Sequence, residues 1–189
     1  MNVYADAAAR SWRHAFPKLT PRGRALRWLT RHRGITEQPP GSNKDEREDG
    51  IRAAQLLVAN HARYLIGAAW CGTWAAAAAI HAGVRIPNPE RWASVAYIED
   101  DATAHRNGFR GWTRDPKRVL RGDLVVLFGR GVHVATVRRV FPRLGLVLTD
   151  EGNTSSGPGG PQANGDGAVR RRRRLADVHG FALVDYPDA

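Results

Sequence analysis

The sequence predicts an α+β domain in which N-terminal helices pack on an antiparallel β-sheet. Three observations lead there. Apolar residues recur at helical spacing through the first half of the chain. Short β-branched runs separated by Gly- and Pro-bearing turns take over from Asp123. The two patterns are segregated rather than interleaved, which argues against a βαβ alternation. With 189 residues, 42% hydrophobic and 25% charged, the chain is long enough for one self-sufficient core and is neither disordered nor membrane-saturated in composition.

Residues 1–33 read as two helical pieces broken at Pro17 and Pro21, the second opened by Thr20-Pro21 as N-cap and first-turn residue. Residues 1–21 are expected to form a helical extension, and 22–189 the main domain. The stretch 35–50 (ITEQPPGSNKDEREDG) is loop by composition. Ile51, Ala54, Leu57, Val58 and Leu65 mark a helix from about Ile51 to Tyr64. A second apolar helix is expected from near Cys71 to near Gly83, small on every side and so suited to tight burial. Asn88-Pro89-Glu90 opens another, running through about Ala104. Strands follow at 123–128, 132–140, 146–150, 168–175 and 181–184, with 129–131 and 142–145 as hairpin turns and 152–167 as a loop. There is no internal repeat.

The net charge is +11, from 26 arginines and three lysines against 18 acidic residues. It reads either as attraction to a polyanion (nucleic acid, anionic membrane or anionic cell wall) or as an arginine-rich solvated surface. The arginines are dispersed, and their one block, Arg170–Arg174, is expected to be a strand whose alternate side chains face solvent. No recognition motif for a specific nucleic acid is present. No stretch of 1–13 resembles a signal peptide, and the uncharged run 64–83 is too Ala- and Gly-rich for a membrane span. One cysteine excludes an intrachain disulfide and any zinc site with two thiolates. The seven histidines show no HExxH or paired-ligand spacing.

That cysteine, Cys71, stands at the start of the expected buried helix. There, first-turn N–H groups and the helix dipole stabilise a thiolate and then an oxyanion. Gly72 beside it would let a substrate approach the backbone. His133 alternates with Val132 and Val134 on a strand, where an imidazole is either a packed core residue or a base presented to a facing nucleophile. On the next strand Glu151 and Asn153, two apart, are expected to share a face and to accept the His133 Nδ1–H. Cysteine at a helix start, histidine on a strand and an acid or amide on the following strand is the order found in papain-like cysteine hydrolases.

Over roughly residues 22–187 the chain resembles the CHAP domain, the cysteine- and histidine-dependent amidohydrolase/peptidase fold of bacteriophage endolysins and bacterial peptidoglycan hydrolases. The resemblance rests on GITEQPPGSN (34–43), Trp70-Cys71, RGDLVVLF (121–128), His133-Val134-Ala135 and EGNTS (151–155). It implies a papain-like fold, with Cys71 as nucleophile, His133 as base and Glu151 and Asn153 as orienting residues. Gln38, Asn43 and Trp70 are expected to line the substrate groove. The acidic loop 45–49 faintly echoes the calcium loop of some relatives, with Arg47 where a ligand would be wanted; no metal or other cofactor is otherwise implied. The expected partners are peptidoglycan and anionic wall polymers. The expected setting is a monomer made in the host cytoplasm and acting on the cell wall after holin-type release or virion delivery. A catalytically inactive wall-binding or virion part, and a basic nucleic-acid-binding protein, are the alternatives.

Overall fold

A computed structural model of the chain describes residues 3–45, 47–155 and 164–187; Glu46 of the acidic loop and residues 156–163 of the long loop lie outside them. The elements run α1 (Val3–Ala15), α2 (Pro21–Arg31), α3 (Ile51–Val58), α4 (Cys71–His81), α5 (Val95–Thr103), β1 (Phe109–Thr113), β2 (Leu124–Leu127), β3 (His133–Phe141), β4 (Leu146–Thr154), β5 (Gly167–Arg174) and β6 (Val178–Val184). The strands form one antiparallel sheet in the order β1-β6-β2-β3-β4-β5. Helices and antiparallel sheet are therefore segregated along the chain as expected.

Helix α4 organises the interior. Every residue from Cys71 to Ile80 is buried, and the helix packs against α1, α2, α3, β3 and β4. Its Ala75–Ala79 run supplies the small radius that lets several elements close on one helix. Trp28 of α2 and Trp74 of α4 meet edge to face, with centroids 4.6 Å apart. The chain before β2 is fixed by a buried carboxylate. Asp123 accepts hydrogen bonds from Arg22 Nη1 (2.9 Å), Leu120 N–H (2.8 Å) and Val184 N–H (3.1 Å), which ties α2 and β6 to this turn. Arg138 joins α2 to the sheet, donating to Asp150 (2.6 Å), Thr30 Oγ1 (2.6 Å) and the Leu26 carbonyl (3.1 Å).

Four expectations need correction. The helix from Ile51 stops at Val58, because Asn60 and His61 turn left-handed (φ 52° and 63°) and the His61 N–H bonds back to the Leu56 carbonyl. The helix expected from Pro89 is a 3-10 turn (Pro89–Ala93) followed by α5, separated at Ser94, whose backbone is extended. A further strand, β1, pairs with β6; its Arg and mid-strand Gly111 hide the usual strand signature. In β5 the arginines do not simply alternate toward solvent. Arg172 and Arg174 are exposed, Arg170 and Arg171 are half-buried, and Arg173 is buried.

Candidate active site

Cys71 opens α4, whose N-cap residue Trp70 makes no side-chain capping bond and whose first turn holds no acid. The positive end of the helix is thus not neutralised locally and faces the thiol. Trp70 reaches this position fully buried, its Nε1–H donating 2.9 Å to Glu37 Oε1. The segment carrying Glu37 lies along the start of β5, through a Thr36–Gly167 bridge and a 2.8 Å bond from Glu37 N–H to the Asp166 carbonyl. On the other side Gly152 of β4 presses against the same indoles. A Cβ there would stand 2.6 Å from Trp70 Cζ3 and 2.8 Å from Trp74 Cγ, so only glycine brings β4 this close to α4.

His133 is the first residue of β3 and is fully buried. Its Nε2 is 3.1 Å from Glu151 Oε2. The sequence placed the acid on Nδ1; the structure puts it on Nε2 and leaves the buried Nδ1 without a hydrogen-bond partner, the ring nitrogen open to the thiol. Glu151 is held from three sides. Arg173 donates Nε to Oε1 (2.8 Å) and Nη2 to Oε2 (2.6 Å), and Thr149 Oγ1 donates to Oε1 (2.5 Å). Phe128, at the end of β2 and 39% exposed, lays its ring 6.5 Å from the His133 centroid and 5.3 Å from the Arg173 guanidinium, covering the outer side of this array.

The electrostatics follow from these contacts. Burial pushes the Cys71 thiol up, but the neighbouring His133 imidazole, with the Val134 and Gly72 N–H groups, outweighs it and holds the thiol below its ordinary value. Burial also works against the imidazolium; the bonds and charges of Cys71 and Glu151 prevail and lift His133 to about 9. Glu151 is raised by burial but carried down to about 2 by Arg173 and His133. At neutral pH an imidazolium is therefore paired with a carboxylate backed by the Arg173 guanidinium, and it favours the thiolate relative to an ordinary cysteine.

The other expected site residues are distributed differently. Asn153 does not reach His133. The register of β4 shifts between Glu151 and Thr154 and Asn153 turns left-handed (φ 57°), so the face shared with Glu151 is lost. Its Nδ2 bonds Asn164 Oδ1 at 3.1 Å, and its buried Oδ1 has no hydrogen-bond partner. Trp70 offers no surface to a substrate, being 0% exposed; it braces Glu37. Gln38 is exposed and its N–H bonds the Lys44 carbonyl, while the half-buried Asn43 gives its carbonyl to Gln55 Nε2 (2.9 Å), which also holds the Ala68 carbonyl (3.0 Å). That bridge ties the 38–45 segment to the chain just before Cys71. Gly72 is not an opening for substrate: its missing side chain makes room for the Trp92 carbonyl, 1.9 Å from where a Cβ would stand. Glu37, Thr149, Gly152 and Arg173 escaped the sequence reading. The signal for Arg173 was a carboxylate, Glu151, with no cation assigned to it.

In the acidic loop, Asp45 and Asp49 are engaged with protein donors. Asp45 Oδ1 accepts from the Arg52 N–H of α3 at 3.2 Å, and Asp49 faces His32 (3.4 Å) and Arg47 (3.3 Å). No group of three potential protein ligands gathers anywhere among the described residues. No helix of the described residues is long and apolar enough to cross a membrane. A cleft of about 500 Å³ between α1 and the start of α2 is lined by neither Cys71 nor His133 nor Glu151. No family model, curated protein or solved structure matches the chain.

Proposed function

We propose that the protein is a thiol hydrolase of the CHAP type, with a papain-like arrangement, that cleaves amide bonds in peptidoglycan. One observation carries the reading: the buried Cys71–His133–Glu151 array, with the thiol at a helix N-terminus and the acid on the far nitrogen of the imidazole. In this mechanism the Cys71 thiolate attacks the carbonyl carbon of a muramoyl-alanine or stem-peptide amide, forming a C–S bond. The oxyanion lies toward the first-turn N–H groups of α4. His133, protonated at the outset, gives its proton to the departing amine as the C–N bond breaks. The neutral imidazole then takes a proton from water, whose hydroxide attacks the thioester and returns the thiol with release of the acid. No metal or cofactor has a role in these steps. Anionic wall polymers are the natural counterpart of the +11 charge, and the cell wall is the place of action.

The test is lysis of purified wall sacculi, followed by mass spectrometry of the released fragments. Cys71→Ala is expected to abolish lysis while keeping a cooperative unfolding transition, because it removes only a sulfur. Lysis by folded Cys71→Ala would sink the mechanism. A wild-type chain that binds sacculi but cuts no bond would favour an inactive wall-binding part.

A further inference from the structure

The proposed chemistry assigns roles to three side chains, yet the array contains a fourth charge. Arg173 is 8% exposed, unlike its neighbours Arg172 and Arg174, which face solvent. It grips Glu151 through two nitrogens on two oxygens and touches Thr154 Oγ1 at 3.3 Å. The sheet sets this up. Arg173 lies opposite Val147 in the β4–β5 register, and Thr149 and Glu151 follow Val147 at two-residue intervals on the same face. The guanidinium therefore reaches along β4 past Thr149 to the carboxylate. Two parallel N–H donors fix a carboxylate's plane, which an ammonium does not do.

This has two consequences. A carboxylate fixed in plane presents Oε2 to His133 Nε2 at one orientation only, so the imidazole that must face Cys71 is aimed by the arginine two contacts away. Without Arg173, the thiolate, imidazolium and Glu151 would also carry a net negative charge in a buried site, at a desolvation cost. Resting on the proposed hydrolase reading, we propose that Arg173 is the positioning residue of the site. It orients Glu151 and balances its charge, so that His133 is held for Cys71 in the ion-pair form.

The experiment uses the full chain and two readouts, the pH profile of sacculus lysis and that of Cys71 alkylation by iodoacetamide. Arg173→Met removes the positive charge, so Glu151 acts undiluted on its neighbours. The pH at which alkylation rises and the pH at which lysis falls on the alkaline side are both expected to move up by about one unit, the effect of one nearby charge. Arg173→Lys keeps the charge but not the paired donors. Both positions are expected to stay near those of the wild type, while lysis slows about tenfold or more. A folded Arg173→Met protein in which neither position moves would overturn the proposal. If that variant does not fold, Arg173→Lys decides alone, and wild-type lysis by it overturns the proposal equally. A failure of the hydrolase reading is separately visible, since it would leave Cys71→Ala active or the native thiol inert to iodoacetamide at neutral pH.

Discussion

At the scale of single residues, the site turns on where two protons sit. His133 has a folded pKa of about 9 against an ordinary 6.5, so it contributes stability in full below about 6.5 and loses it as pH rises through about 9. Glu151, depressed to about 2 from 4.5, contributes in full above about 4.5 and loses it as pH falls toward 2. Stability from the pair is thus greatest between those two windows. Lysis is expected to fall on the alkaline side near pH 9, as the imidazolium that protonates the departing amine is lost. In Glu151→Gln that alkaline limb should drop toward 6.5, because the carboxylate that supports the imidazolium is gone. An unmoved limb in the residual lysis of Glu151→Gln would contradict the assignment of Nε2 to Glu151.

At the scale of elements, the decisive feature is how closely α4 is approached. Trp92 sends its carbonyl to Gly72, and Gly152 lets β4 lie on Trp70 and Trp74. These contacts bring the N-terminus of α4, with its thiol, to the ends of β3 and β4. Gly72→Ala would put a methyl carbon where the Trp92 carbonyl sits, and neither group is the far end of a flexible side chain. The expected cost is about 1–3 kcal/mol by overpacking, read as a lower urea midpoint. Displacement of the first turn should also slow Cys71 alkylation at pH 7, and a variant with wild-type stability and reactivity would show that α4 is not pinned at this point. The sequence placed α4 to within two residues, because a run of small apolar residues after Trp70-Cys71 has few other uses. It misread Gly72, since the residue that Gly72 accommodates lies 20 positions along the chain and only packing brings it there.

At the scale of the whole molecule, the charge divides into internal and external parts. Arg22, Arg91, Arg138 and Arg173 are engaged with the buried carboxylates Asp123, Asp101, Asp150 and Glu151. These arginines tie separate segments together; Arg173 is buried and the other three are half-buried. Arg10, Arg13, Arg27 and Arg31 on α1 and α2 are exposed, as is Arg172. If such residues hold the protein on an anionic wall, sacculus binding by Cys71→Ala should fall steeply with salt, as the screening length shortens from about 10 Å at 0.1 M to about 3 Å at 1 M. Arg27→Gln with Arg31→Gln should weaken that binding modestly and leave cleavage of a small soluble peptide unchanged. Salt-independent binding in a co-sedimentation assay would show that affinity comes from groove contacts, and the arginines would then be surface and scaffold alone.

The sequence by itself determined the segregation of helices and sheet, the start of α4 at Cys71, and the order of thiol, imidazole and carboxylate along the chain. These are local matters of periodicity, turn residues and residue type, and they can be read without knowing what packs on what. Only the tertiary structure decided between Glu151 and Asn153. A shift of register in β4 and a left-handed Asn153 accompany an imidazole bonded to the acid and not to the amide, and no local pattern announces a bulge. It also decided that Trp70 is a buried brace rather than a groove wall, and that one arginine of a run of five belongs to the site. Five like residues in a row look equivalent along a strand. They become different only when the adjacent strand places a buried carboxylate within reach of one of them, because a charge removed from water must find its counter-charge nearby.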